Sequence, residues 1–159
     1  MFKPLVVILM GSKADLEHSN KIAEACKQYG LETVIRVASA HKTPEHALAI
    51  LKEYESDARP KVYVTVAGRS NALSGFVDGA VSAPVIACPP ISESFGGADI
   101  FSSLRMPSGI APAVALEPVN AALLAAKIFG LENAEIREAV IRSQKKLAER
   151  ILEDDASVQ

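Results

Sequence analysis

Three segments of the sequence carry side chains suited to proton or anion chemistry: "MGSKAD" with Ser12 and Asp15, "SAHKTPE" with His41 and Lys42, and "AGRSNALSG" with Arg69 and Ser70. An imidazole titrates near pH ~6.5, so it can take and return a proton under cellular conditions. A guanidinium suits carboxylate or phosphate partners, and a lysine adds a mobile point charge. Asp15 would repel a phosphate at close range, so sugar hydroxyls are its natural partners. Each residue also has a plainer reading. Ser12 and Asp15 suit a capped helix start with a carboxylate favouring the dipole, and His41 suits an ordinary loop position.

The flanking residues set the local geometry. Gly11 permits a tight turn after an apolar run, and the helix start that follows offers free N–H groups to an anion. This is not a P-loop, because GxxxxGK[ST] is absent. Thr43-Pro44 reads as a helix opening, with Thr43 as N-cap and Pro44 at the first helical position. His41 therefore falls in a short loop between a strand and a helix, beside Ser39 and Ala40. Gly68 opens the third segment with backbone and hydroxyl donors, and the approach of Arg69 reads as buried. His41 and His46 are spaced i, i+5, which is not the HExxH arrangement, so no metal is expected. His18 lies in a polar helix segment and reads as a solvated surface residue. The stretch 88–109 is a long loop with little strand character, the kind that is usually functional or mobile. Arg105 and Ser108 within it would face either a ligand or a neighbouring subunit.

These segments hang on alternating elements. Apolar runs predict strands over 4–10, 32–38, 61–67, 84–88 and 113–117, and helical spacing predicts helices over 15–29, 44–54, 118–129 and 132–154. Strand-helix alternation implies a parallel sheet with helices on both faces. Ligands in such sheets lie beyond the carboxyl ends of the strands, where all three segments fall. The 159 residues, 49% hydrophobic, suit one domain over 1–159. A net charge of −2 gives no electrostatic case for nucleic acid or an anionic membrane, while a small anionic ligand needs only a local site. The first apolar run meets Gly11 too early for a membrane span and lacks a signal-like cleavage region, so the expected location is cytoplasmic. Cys26 and Cys88 have no CxxC partner and are expected as reduced core thiols. The alanine-dense "NAALLAAKIF" predicts a helix–helix contact in a homo-oligomer interface.

The ordered set "MGSKAD", "SAHKTPE", "AGRSNALSG", "ACPP", "SSLRMPSG" and "NAALLAAKIF" resembles the PurE family of purine biosynthesis over nearly the whole chain. The resemblance implies a three-layer α/β/α sandwich with a flavodoxin-like parallel sheet, assembled as a homo-octamer. It implies a 5-aminoimidazole ribonucleotide substrate and neither metal nor organic cofactor. The family holds two activities: addition of CO2 to 5-aminoimidazole ribonucleotide, and transfer of a carboxyl from the exocyclic nitrogen to the ring carbon. The mutase pattern has a second histidine after the third strand, where this chain has Ala72. The combination of "GRSNALSG", "ACPP" and "SSLRMPSG" looks like the carboxylase class.

Carried over residue by residue, the resemblance puts Ser12 at the phosphate and Asp15 at the ribose hydroxyls, with Gly11 also among the substrate-binding residues. Ser39, Ala40 and His41 border the reacting ring, His41 as the proton-transfer residue, with Lys42 toward the phosphate. Gly68, Arg69 and Ser70 border the carboxylate or CO2 pocket. Two positions depart from the family: Ala14 replaces a frequent serine and Lys42 a frequent arginine, and both bear on phosphate binding. The alternatives are the mutase, and a non-catalytic nucleotide-binding module on the same scaffold.

Overall fold

Leu5–Met10 contains no polar side chain and every residue of it is buried, which requires a central strand covered on both faces. In the computed structural model, which describes residues 3–93 and 95–159, this strand (β1) pairs in parallel with β2 (Glu32–Val37) on one side. Its other side pairs in parallel with β3 (Lys61–Val66), followed by β4 (Val85–Ala87) and β5 (Ala113–Val114). The order is β2-β1-β3-β4-β5, that of flavodoxin-like sheets.

The two-residue period of the strands divides the core. Val6, Ile8, Met10, Val62, Val64, Val66 and Ile86 face one layer, made of α1 (Leu16–Lys27), α5 (Pro118–Phe129) and α6 (Ala134–Ser157). Leu5, Val7, Leu9, Tyr63 and Val85 face the other, made of α2 (Pro44–Glu55) and α3 (Leu73–Asp78). The expected three-layer α/β/α sandwich is the observed architecture. Gly30, in the turn that follows α1, has φ 71°, the left-handed conformation that glycine adopts without strain.

The differences from expectation have local causes. The strand expected over 113–117 pairs only at Ala113–Val114, because a single neighbour, β4, is itself three residues long. The stretch 88–109 is less irregular than its composition implies. It contains a 3₁₀ turn at Ala98–Ile100 and a short helix, α4 (Phe101–Leu104). The alanine stripe of α5 packs inside its own chain: Ala121, Ala122, Ala125 and Ala126 are fully buried in the core shared with α1. A subunit contact made by α5 would have to use its other face, where Val119 is exposed.

Candidate active site

The chain leaves β1 toward β2 on one side and returns to β3 on the other, so their carboxyl ends diverge and leave a crevice between the connections. The ladder holds the exits together one residue beyond the strands. Gly11 N–H donates to the Val66 carbonyl at 2.9 Å, and Ala38 N–H to the Met10 carbonyl at 3.0 Å. Above them lies a cleft of about 600 Å³. Gly11, Ser12 and Asp15 line it from the first exit, Ser39, Ala40, His41 and Lys42 from the second, and Gly68, Arg69 and Ser70 from the third. The structure thus brings the candidate site residues of the three segments to one cleft, with Thr43, Pro44 and Ala72 outside its lining.

Each exit is shaped by its own side chains. Ser12 is extended, and its Oγ accepts the Ala14 N–H at 3.2 Å, which leaves its hydroxyl proton free to donate. Asp15 closes the 3₁₀ turn that follows. Burial raises its carboxyl above the usual carboxylate value, and the nearby His18 and Arg69 pull it back. In the second exit the Ser39 carbonyl accepts the Thr43 N–H at 2.9 Å, and Ser39 Oγ accepts the Lys42 N–H at 3.2 Å. Thr43 holds the N-cap position of α2, but its Oγ1 reaches back to accept the Ser39 N–H at 3.0 Å. The result is a closed turn with the exposed His41 at its tip.

The third exit is built on a buried polar network. Asn71, only 4% exposed, donates through Nδ2 to Ser74 Oγ at 2.6 Å and Ser103 Oγ at 2.9 Å. Its Oδ1 accepts the Ser74 N–H at 3.1 Å, and Ser74 Oγ meets Thr65 Oγ1 of β3 at 2.8 Å. Ser102 Oγ accepts the Asn71 N–H at 2.9 Å. These bonds lock the loop to α4 behind it. A Cβ on Gly68 would lie 3.4 Å from Pro90 Cγ, so the glycine lets the next exit close against this loop. Arg69, expected as buried, is exposed: its charge stays at the solvent-filled mouth, where water shares its solvation.

Other residues were not foreseen. Pro90, Ile91, Ser92 and Glu93 form a further wall of the cleft, and Leu73 its floor beside Ala67. A smaller hollow of about 210 Å³ lies behind that wall, lined by Gly68, Pro89, Pro90, Ile100, Asp99 and Leu116 among others. Only the length of the 88–109 stretch signalled this, without saying which residues matter. Arg105 and Ser108 are exposed and stand outside the cleft wall. His18 is half-buried rather than solvated, with Nε2 3.4 Å from Cys88 Sγ, because its face of α1 turns toward the end of β4. Burial lowers its pKa below the usual imidazole value. Cys26 and Cys88 are free and buried, and burial pushes each thiol up to about 12. Among the described residues, no three His, Cys, Asp or Glu side chains converge as a metal site, and no helix is long and apolar enough to cross a membrane.

The family model of AIR carboxylase matches residues 5–150. A phosphoribosylaminoimidazole carboxylase of Treponema denticola is 60% identical over 156 residues, covering 98% of each chain. The protein of the same name from Archaeoglobus fulgidus is 58% identical, covering 94% of this chain and 82% of its own. In the mouse, a bifunctional phosphoribosylaminoimidazole carboxylase/succinocarboxamide synthetase is 47% identical over 87% of this chain, which spans 33% of that protein. The crystal structure of Treponema denticola PurE superimposes with a TM-score of 0.97 at 59% identity, covering 99% of both chains. With its full-length relatives, its fold and its ordered strand exits in agreement, the chain belongs to the AIR carboxylase (PurE) family.

Proposed function

We propose that the chain carboxylates 5-aminoimidazole ribonucleotide with CO2, reversibly, to give 4-carboxy-5-aminoimidazole ribonucleotide in purine biosynthesis. The observation that carries the reading is the single cleft onto which His41, Lys42, Ser12, Asp15 and Arg69 open together. Ser12, with its free hydroxyl proton, and Lys42 take the phosphate, and Gly11 lets it approach the backbone. Asp15 takes the ribose hydroxyls. Ser39 and Ala40 border the ring, and Gly68, Arg69 and Ser70 border the carboxyl group entering or leaving.

The aminoimidazole ring is enamine-like at the carbon beside its amino-bearing carbon, so its electron pair can attack the carbon of CO2 directly. That ring carbon becomes tetrahedral, holding a new carboxylate and its original hydrogen. Removal of the hydrogen as a proton returns the bonding pair to the ring and restores aromaticity. His41 takes this proton, and in the reverse direction its imidazolium returns it to the same carbon. Arg69 stabilises the carboxylate charge as it forms. The chemistry draws on ring electrons and one proton carrier, so ATP, biotin and metal are not required.

The mutase reading is not favoured, since Ala72 stands where the mutase pattern has its second histidine and the full-length relatives bear the carboxylase name. The assembly we propose is a cytoplasmic homo-octamer. In support, the large apolar side chains Ile91, Phe95, Phe101, Leu104, Leu116 and Val119 are exposed in the single chain, surface that association would cover. The deciding experiment offers the purified protein 5-aminoimidazole ribonucleotide with bicarbonate, or the N-carboxylated nucleotide alone, without ATP and with chelator. Carboxylated product from the first mixture is expected. Turnover of the second only, or activity restored by a divalent ion, would refute the assignment.

A further inference from the structure

Arg69 has φ 61°, the only positive value outside glycine among the described residues. A residue with a Cβ stays in that region only when its surroundings hold it there. What holds it comes from thirty residues along the chain: Asp99 Oδ2 accepts the Arg69 N–H at 3.0 Å. Asp99 sits in the 3₁₀ turn Ala98–Ile100, and its own carbonyl accepts from Ser102 Oγ at 2.7 Å. Ser102 in turn receives the Asn71 N–H, so residues 69 and 71 are gripped from one side by one short segment. Asp99 lines the smaller hollow and is not part of the main cleft wall. Arg69 does line the cleft, and its charge acts on the Asp15 carboxyl across it. Relaxation of residue 69 into an ordinary negative-φ conformation would redirect its Cα–Cβ bond and carry the guanidinium away from that position.

We propose that Asp99 is a positioning residue for the reaction: its carboxylate fixes Arg69 in the left-handed conformation that aims the guanidinium at the incoming carboxyl group. This rests on the reading of Arg69 given above. Asp99 acts through one backbone N–H, that of Arg69.

The test measures steady-state kinetics with varied CO2 for the intact enzyme and for Asp99→Ala, Asp99→Asn, Arg69→Ala and the Asp99→Ala/Arg69→Ala double variant. Loss of the clamp in Asp99→Ala is expected to raise KM for CO2 about tenfold, the scale of one lost charge-assisted contact, and to leave KM for the nucleotide within about twofold. Asp99→Asn keeps an acceptor oxygen in place and is expected within about threefold of the unaltered enzyme. In the Arg69→Ala background, Asp99→Ala is expected to add nothing, whereas a purely structural role would add the same loss in both backgrounds. Additive losses, or an unchanged KM for CO2 in Asp99→Ala while Arg69→Ala raises it, would overturn the proposal. An unchanged KM for CO2 in Arg69→Ala would overturn the reading of Arg69 and the proposal with it. Should Asp99→Ala fail to fold, Asp99→Glu displaces the acceptor by one methylene and carries the same expectations.

Discussion

Replacing Asn71 by alanine should destabilise the chain far more than its small, uncharged side chain suggests. The residue is 4% exposed, and its three side-chain bonds end on Ser74 and Ser103, themselves 0% and 2% exposed. Ser74 N–H lies in the first turn of α3, where no intrahelical carbonyl is available, so alanine at 71 orphans a buried donor. That alone costs about 1–3 kcal/mol. Ser74 and Ser103 hydroxyls each lose a donor, but Ser74 keeps Thr65, which limits this part to about 1 kcal/mol. The total is about 2–4 kcal/mol, a large share of the roughly 5–15 kcal/mol that holds a domain folded. With a urea m-value of about 2 kcal/mol/M, the midpoint should fall by about 1–2 M. Both proteins must be compared at one protomer concentration, since any assembly would contribute to apparent stability. Ser82→Ala, which removes an exposed hydroxyl 3.4 Å from Glu55, is the control and should stay within about 0.5 kcal/mol. A midpoint for Asn71→Ala no lower than that of the control would refute the view that this network is sealed from water.

His41→Asn should lower turnover by about 10²–10⁴ while nucleotide binding, measured by calorimetry, largely survives. His46→Asn is the matched control; His18 is unsuitable because it packs against Cys88. Asp15→Asn should weaken nucleotide binding at pH 7 about tenfold or more through loss of a charged acceptor. The same change should raise thermal stability at that pH. Burial lifts the Asp15 pKa, so the stability belonging to its neutral carboxyl is present below the ordinary 3.8 and lost as pH rises through the folded-state pKa. A neutral side chain removes that loss, and a lower melting temperature at pH 7 would contradict the sign. Finally, Cys26 and Cys88, each held up to about 12, should resist a thiol reagent at pH 8 in the folded chain and react fully in denaturant. Stoichiometric labelling under native conditions would show the core to be more open than described.

Where chemistry is carried by local pattern, the sequence was informative. Pro118 at a first helical position and Gly130 beyond the last turn bound a helix whose limits coincide with the observed α5. The strand exits were legible because strand-like runs stop abruptly at Gly11, Ser39 and Gly68, and a parallel sheet must bring such exits to one edge. Other features depend on partners distant in the chain. Whether His18 faces water depends on β4 lying within reach of α1, which only the strand order decides. The α4 helix is anchored by serine hydroxyls that meet Asn71 from 31 and 32 residues along the chain, and its composition alone carries no such instruction. Nothing in the identity of Arg69 announces a positive φ, and the carboxylate that accepts its N–H, that of Asp99, lies thirty residues along the chain.

The central place of β1 also has a consequence for how the chain reaches this state. Leu5–Met10 precedes both of its partners in the chain, since β2 and β3 lie at Glu32–Val37 and Lys61–Val66. Until residue 66 has left the ribosome, six apolar residues have at least one open hydrogen-bonding edge and no complete pair of covering layers. Parallel pairing across such separations is slow, because loop closure precedes any gain from contact. The nascent chain therefore passes through a stage in which its most hydrophobic strand is its least protected, and this is the stage at which a chaperone or slowed translation would most improve the yield of folded protein.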